Sequence, residues 1–259
     1  MPIGTDRRGS LNQGKIYGSS TKHPDLNTQG TWSMTPFFTI LCHDLPLTPR
    51  LTGACIGYQS TEWRAQQFAR HLFRFLPEFC LTHSERKSID DTNCMEHIAN
   101  AAKLVYDTDK YQKRGEFGEL MLHALLRETR QTEPAISKIF FKDASNNTVK
   151  GFDAVHVIDT PNGLELWLGE VKFYKDINTA IRDVIKELSA HFQDNYLRQE
   201  FGLIANKLDA NWTGSEKLRR LLHENTSLDE VVSAIVVPVL LTYESPTTQA
   251  HTSTTPTYK

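Results

Sequence analysis

Apolar residues recur along this chain with two different spacings, and the changes between them mark out its elements. From Tyr111 to Arg130, Phe117, Leu120, Met121, Ala124 and Leu125 fall three and four apart, the stripe of an amphipathic helix. A short apolar run, Phe152 to Ile158, is followed by Thr160-Pro161-Asn162-Gly163, hairpin-turn composition, and then by a second run, Leu164 to Phe173. Asp176-Ile177-Asn178 opens a long helix reaching about Glu200, with Ile177, Ile181, Val184, Leu188 and Phe192 inward. Ile136 to Lys142 and Ser233 to Tyr243 read as further strands, with Pro238 marking an irregularity or an edge in the last.

The first third has the same alternation. Phe37 to Cys42 and Ala54 to Tyr58 suggest strands. Ser60-Thr61 starts a helix with the stripe Ala65, Phe68, Ala69, Leu72, Phe73 and Leu76, which Pro77 ends. Asp90-Asp91 starts another, with Met95, Ile98, Ala102 and Val105 inward. Met1 to Met34 is polar and aperiodic and reads as a flexible arm; the Thr-rich end from Ser245 to Lys259 reads as disordered. The pattern therefore predicts an α/β protein. An arm at 1–35 and a mainly helical region at 36–110 lead into a core at 111–245, a small mixed sheet flanked by helices, and a tail at 246–259.

Charge placement on the hairpin changes the picture. Side chains alternate along a strand, so Glu170 and Lys172 share a face. The hairpin brings Asp153 beside them. Leu166, Trp167, Leu168, Val171 and Phe173 surround the charged pair, which makes this a buried central strand, where acids and bases need partners or a metal. Two carboxylates and an ammonium at one end of a sheet form a site for a hard divalent cation bound through oxygen. A Glu-x-Lys triplet alone is common; the apolar surroundings, and Gly151 just before Asp153, raise its weight. On the preceding helix Glu116, Glu119 and His123 share one stripe with apolar residues on both sides. Glu119, directly after Gly118, is the better third acid, Glu116 the second, and His123 a candidate outer partner.

Lys175, Arg182 and Lys186 stand near this site and either grip phosphates or form an ordinary solvated helix face. Lys217, Arg219 and Arg220 carry the same two readings. With 29 Lys+Arg against 31 Asp+Glu, the net charge of −2 is not that of a protein that captures nucleic acid by itself. Cys42, Cys55, Cys80 and Cys94 form no C-x-x-C pair, and Cys80 and Cys94 read as buried small hydrophobes rather than zinc ligands. Free thiols with no signal peptide or long apolar segment suggest a cytoplasmic protein without a membrane partner. There is no GxxxxGK[ST] phosphate loop, so any ATP dependence must come from another chain.

A helix with Gly118-Glu119, a strand with Phe152-Asp153, a turn, then Glu170-Val171-Lys172 resembles the PD-(D/E)xK nuclease superfamily. Phe152 stands where that motif has proline, a residue that shapes the turn and binds no metal. More narrowly, RGEFGELMLHALL, GFDAVHV and LWLGEVKFYKD are similar to the HamA family, nuclease subunits of the Hachiman antiphage defence system, over Phe37 to Glu244. The resemblance implies a restriction-endonuclease-like core and hydrolysis of DNA phosphodiesters. It implies Mg2+ or Mn2+ held by Asp153, Glu170, the Val171 carbonyl and Glu119, with Lys172 at the attacking water. It also implies a partner helicase of the HamB kind that supplies DNA or releases the nuclease. Two other readings stand beside it: a nuclease fold kept as a silent binding subunit, and a nuclease acting on RNA.

Overall fold

The computed structural model describes residues 36–44, 46–106, 115–136 and 151–253, all within one unit, Pro36–Lys259. The expected arm, residues 137–142 of the strand expected from Ile136, the first turn of the helix expected from Tyr111, and the last residues of the tail lie outside these ranges.

A five-stranded mixed sheet forms the centre. β5 (Glu133–Ile136), β6 (Ala154–Thr160) and β7 (Gly163–Phe173) run antiparallel in that order, and β8 (Ile235–Val236) and β9 (Val239–Thr242) both pair with β7 in parallel. The hairpin expected at Pro161-Asn162 is present, with Thr160 opposite Gly163 and Ala154 opposite Gly169. The Thr160 hydroxyl donates to the Gly163 carbonyl at 2.8 Å and closes the turn. The single strand expected over Ser233 to Tyr243 is instead the end of a helix and two short strands. Pro238 has no N–H to give a ladder, but its carbonyl still accepts from Glu170 N–H at 3.0 Å.

Each face of the sheet has its own helical cover. On one face Val155, Val157, Leu166 and Leu168 pack against Leu197, Phe201 and Ile204 of α7 (Asp194–Lys207) and against Trp212, Leu218 and Val231. On the other, Leu122 and Leu126 of α5 (Gly115–Arg130) pack on Ala154 and Val171. The opposite side of α5 buries Leu120 and Ala124 against Phe75, Leu76, Phe79, Ala101 and Val105, so this helix serves two cores at once. It approaches β7 closely enough that a Cβ on Gly118 would lie 2.6 Å from Val171 Cγ1.

Several expected boundaries move, each for a local reason. Ser60 and Thr61 do not start a helix; both have positive φ and make a tight turn between β3 (Tyr58–Gln59) and β4 (Glu62–Trp63). The helix α1 begins later and spans Ala65–Phe73, with Phe73 on its solvent side. Pro77 ends nothing: it sits in the first turn of α2 (Leu76–Cys80), where its missing N–H is not needed. Asp90 accepts from the Thr92 and Asn93 N–H groups and delays α4 (Cys94–Tyr106). Its buried face is Ala101 and Val105, while Met95 and Ile98 are exposed.

The long helix expected to Glu200 breaks at Gln193, which is extended, into α6 (Ile177–His191) and α7. The bend lets Leu197, Phe201 and Ile204 reach the sheet, and on α6 Ile181 is left exposed. Beyond Ser245 the expected disorder gives way to a helical turn, Pro246–Ala250, capped by the Ser245 hydroxyl. Residues 36–106 hold four short strands, including the pair β1 (Thr39–Asp44) and β2 (Leu51–Cys55), as well as α3 (His83–Lys87) and the other helices.

Replacing Gly118 with Ala forces a methyl group into Val171 and is expected to destabilise the fold by about 1–3 kcal/mol. Gly115→Ala, with open space at its Cα, is expected to cost nothing. Denaturant unfolding of the two variants checks this pair of outcomes.

Candidate metal centre

The two strands of the hairpin place the charged residues. Asp153 precedes β6 by one residue and continues its register: its N–H donates to the Gly169 carbonyl at 2.8 Å, and its Oδ2 accepts from the Val171 N–H at 2.8 Å. The backbone thus pins one oxygen of this carboxylate, which also interacts with the Glu170 carboxyl beside it. In a strand a residue's N–H and C=O point the same way, so the Val171 carbonyl also faces the Asp153 side. Glu170 and Lys172 share the opposite parity to Val171 and project together, with Lys172 Nζ 3.0 Å from Glu170 Oε1.

All three charged residues are buried, Glu170 most completely at 1 % exposure. Burial, and next the neighbouring Asp153 carboxylate, push the Glu170 carboxyl up to about 8 against the pull of Lys172. Burial pulls the Lys172 ammonium down, but Glu187 and Glu170 outweigh it and hold it above its ordinary value. Glu170 Oε2 is buried and accepts no hydrogen bond. Two adjacent buried carboxylates with one orphaned oxygen make an electrostatic demand for a cation, and oxygen donors of this kind suit Mg2+ or Mn2+.

Glu119 and Glu116 lie on α5, whose Gly118 packs on Val171, a residue on the reverse face of β7 from Glu170. Among the described residues no three His, Cys, Asp or Glu side chains converge into a ready metal cage, so Glu119 does not complete one with Asp153 and Glu170. Mg2+ needs only one or two protein carboxylates, the rest of its shell coming from water and substrate phosphate, so the donors present fit it without a third.

His123 lines one small cavity with Asp153, and its hydrogen-bonding contacts are with other residues. It is buried on the α5 side, where its Nδ1 lies 3.1 Å from His156 Nε2 and its Nε2 faces Glu78 Oε2 at 3.3 Å. His156 Nδ1 in turn meets the Thr132 hydroxyl at 2.7 Å. Burial pushes both imidazoles below their ordinary value, so they are neutral at neutral pH. Burial pushes the Glu78 carboxyl up, but its contact with His123 and then the Arg127 guanidinium, 2.8 Å from Oε2, outweigh it and hold it at about 2. This chain ties α2 and α5 to β5 and β6. His156 shares one face of the strand with Ala154 and Ile158, which was the readable sign that it points into a core.

The basic candidates stay in solvent. Lys175 is 87 % exposed and pairs with Glu244 at 3.3 Å, Arg182 donates to the Thr179 hydroxyl, and Lys186 is exposed. Arg219 donates to the carbonyls of Ala205 and Leu208 and so caps the end of α7. Two residues of α6 that the sequence reading passed over do reach the site. Glu187 forms an ion pair with Lys172, and His191 Nδ1 lies 3.8 Å from Glu170 Oε2. Their readable signal was two polar side chains four apart on either side of the buried-stripe residue Leu188. Gly151 meets Glu200, whose Oε1 would lie 2.5 Å from an added Cβ. None of the four cysteines is in a disulfide, and burial pushes the Cys80 thiol up to about 12, as expected of a packing residue; Cys94 is only half-buried.

These features define a mixed α/β protein with a buried Asp–Glu–Lys cluster at the end of its central hairpin. Residues 35–259 match the HamA family, and the chain belongs to it. It is similar to anti-bacteriophage protein A of Escherichia coli (strain K12), at 24% identity over 130 residues, 48% of this chain and 23% of that protein. The chain therefore spans less than a quarter of that relative's length. No solved structure matches it. Among the described residues no helix is long and apolar enough to cross a membrane.

The raised Glu170 carboxyl makes stability pH-dependent. The folded state holds this proton to about 8, the unfolded chain only to the ordinary 4.5, so the contribution is complete below 4.5 and is lost as pH rises through 8. In EDTA, the urea midpoint of the wild type relative to Glu170→Gln is expected to fall steadily from pH 5 to pH 8. A difference that stays flat across this range would show that Glu170 is not so perturbed.

Proposed function

We propose that this protein is a metal-dependent DNA nuclease of the PD-(D/E)xK kind, acting as an effector in antiphage defence. The observation that carries the reading is the buried pair Asp153 and Glu170, with Glu170 Oε2 lacking any hydrogen bond and Lys172 held beside it. Membership of the HamA family and the name of the E. coli relative support the defence role.

Asp153, Glu170 and the Val171 carbonyl would hold Mg2+ or Mn2+. When bound, the ion supplies a water of lowered pKa and neutralises charge on the phosphate. Asp153, fixed by the Val171 N–H, sets the position of one donor oxygen; Glu170 offers its unbonded Oε2 as another. Lys172, already cationic, stands where it orients the attacking water and counters the growing negative charge of the scissile phosphate. Glu119 takes a secondary part, since it lies outside the Asp153–Glu170 pair. Lys175, Arg182 and Lys186 contribute to backbone contact only as exposed cations. A net charge of −2 gives weak intrinsic attraction for DNA, which is why a helicase partner is assigned the task of delivering it.

Lys172→Ala is expected to abolish degradation of plasmid and linear DNA by the chain assembled with its partner, and Glu119→Gln to lower the rate without abolishing it. Full activity of Lys172→Ala would sink the proposal. Calorimetric titration of Mn2+ against wild type and Asp153→Ala separates a nuclease from a silent binding subunit, since only the former binds the ion through Asp153. Parallel assays with RNA test the other substrate.

A further inference from the structure

We infer that Glu187 and His191, one turn apart on α6, are positioning residues of the metal centre: Glu187 holds the Lys172 ammonium and His191 aims the Glu170 carboxylate. Their roles rest on the nuclease reading above and extend it to a helix that carries none of the motif.

The pairing follows from matched repeats. Four residues of helix rise about 6 Å, and two residues of strand advance about 6.6 Å. The pair Glu170/Lys172 on β7 and the pair Glu187/His191 on the returning helix therefore come into register. Running antiparallel, Lys172 meets Glu187 and Glu170 meets His191.

The two helix residues are set up differently. Glu187 is half-exposed and can hold Lys172 from the solvent side, so the ammonium stays charged while bridging two carboxylates. His191 is 6 % exposed and its ring is fixed in plane. Tyr196 stacks on it at 4.6 Å with a 9° tilt, and Phe152, the residue before Asp153, meets it edge-on at 5.1 Å. Its Nδ1 is 3.8 Å from Glu170 Oε2, too far for a hydrogen bond that would consume the oxygen's lone pairs. Close polar contact at that distance limits where the carboxylate swings and leaves Oε2 open to an ion. Residues that orient a ligand typically change metal affinity or activity by roughly 10–100-fold when removed.

Mn2+ titration by calorimetry on the full chain tests the assignment, followed by plasmid cleavage in Mg2+ with the partner present. His191→Phe keeps the stacked ring and removes Nδ1; it is expected to weaken Mn2+ binding by roughly tenfold at an unchanged melting temperature. His191→Asn, whose side-chain amide lies close to the position of Nδ1, should recover most of that loss. Should the Phe variant melt early, His191→Leu, which also lacks the ring nitrogens, gives the same readout. Glu187→Gln is expected to lower the cleavage rate by roughly tenfold with unchanged half-saturation by DNA. Wild-type Mn2+ affinity in the His191→Phe and His191→Leu proteins, or a wild-type cleavage rate in Glu187→Gln, overturns the inference while the nuclease reading stands. A wild type that takes up no Mn2+ and cuts no plasmid sinks the nuclease reading itself.

Discussion

Asp153 and Glu170 sit as adjacent carboxylates in the interior of a sheet, and the architecture around them is largely a response to that repulsion. Burial and mutual charge raise Glu170, and Lys172 only partly offsets them. The arrangement survives because its charged groups are answered by neighbours: Asp153 Oδ2 by the Val171 amide, Glu170 Oε1 by Lys172, and Lys172 itself by Glu187. Glu170 Oε2 is buried without a hydrogen bond and carries the desolvation cost of that position.

Strand register is what holds the two acids together. The pairs Thr160 with Gly163 and Ala154 with Gly169 are all one continuous ladder, and Asp153 extends it by one amide. A slip of one residue would turn Glu170 and Lys172 towards α5 and put Val171 and Trp167 on the α7 side, exchanging the two cores. The closed turn at Thr160 and the parallel partners β8 and β9 on the far side of β7 oppose such a slip.

Helix α5 ties this sheet to the preceding region. Its Leu122 and Leu126 belong to the sheet, its Leu120 and Ala124 to the helices around Phe75 and Phe79. The buried run from Glu78 through His123 and His156 to Thr132 crosses the same boundary with polar contacts. Two neutral imidazoles beside an ionised carboxylate make a rigid joint only while they are packed without water, so this joint and the apolar contacts support one another. Shifts in the preceding helices would reach β6, and with it Asp153, through these side chains.

Periodicity alone was enough to locate α5, the β6–β7 hairpin and the shared face of Glu170 and Lys172. These depend on interactions between residues a few positions apart and on one two-residue turn. The same local logic misplaced the start of α1, hid the break at Gln193 and smoothed Ser233 to Tyr243 into one strand. In each case a turn or a distant surface, not the stripe itself, decided the outcome. Sequence also placed Asp153 and Glu170 side by side but could not say which face of β7 Glu119 would meet, because that depends on Gly118 packing against Val171. His191 and Glu187 became part of the site only when α6 folded back across β7. Contacts between elements far apart in the chain are made by packing, and packing is a property of the whole molecule rather than of any segment.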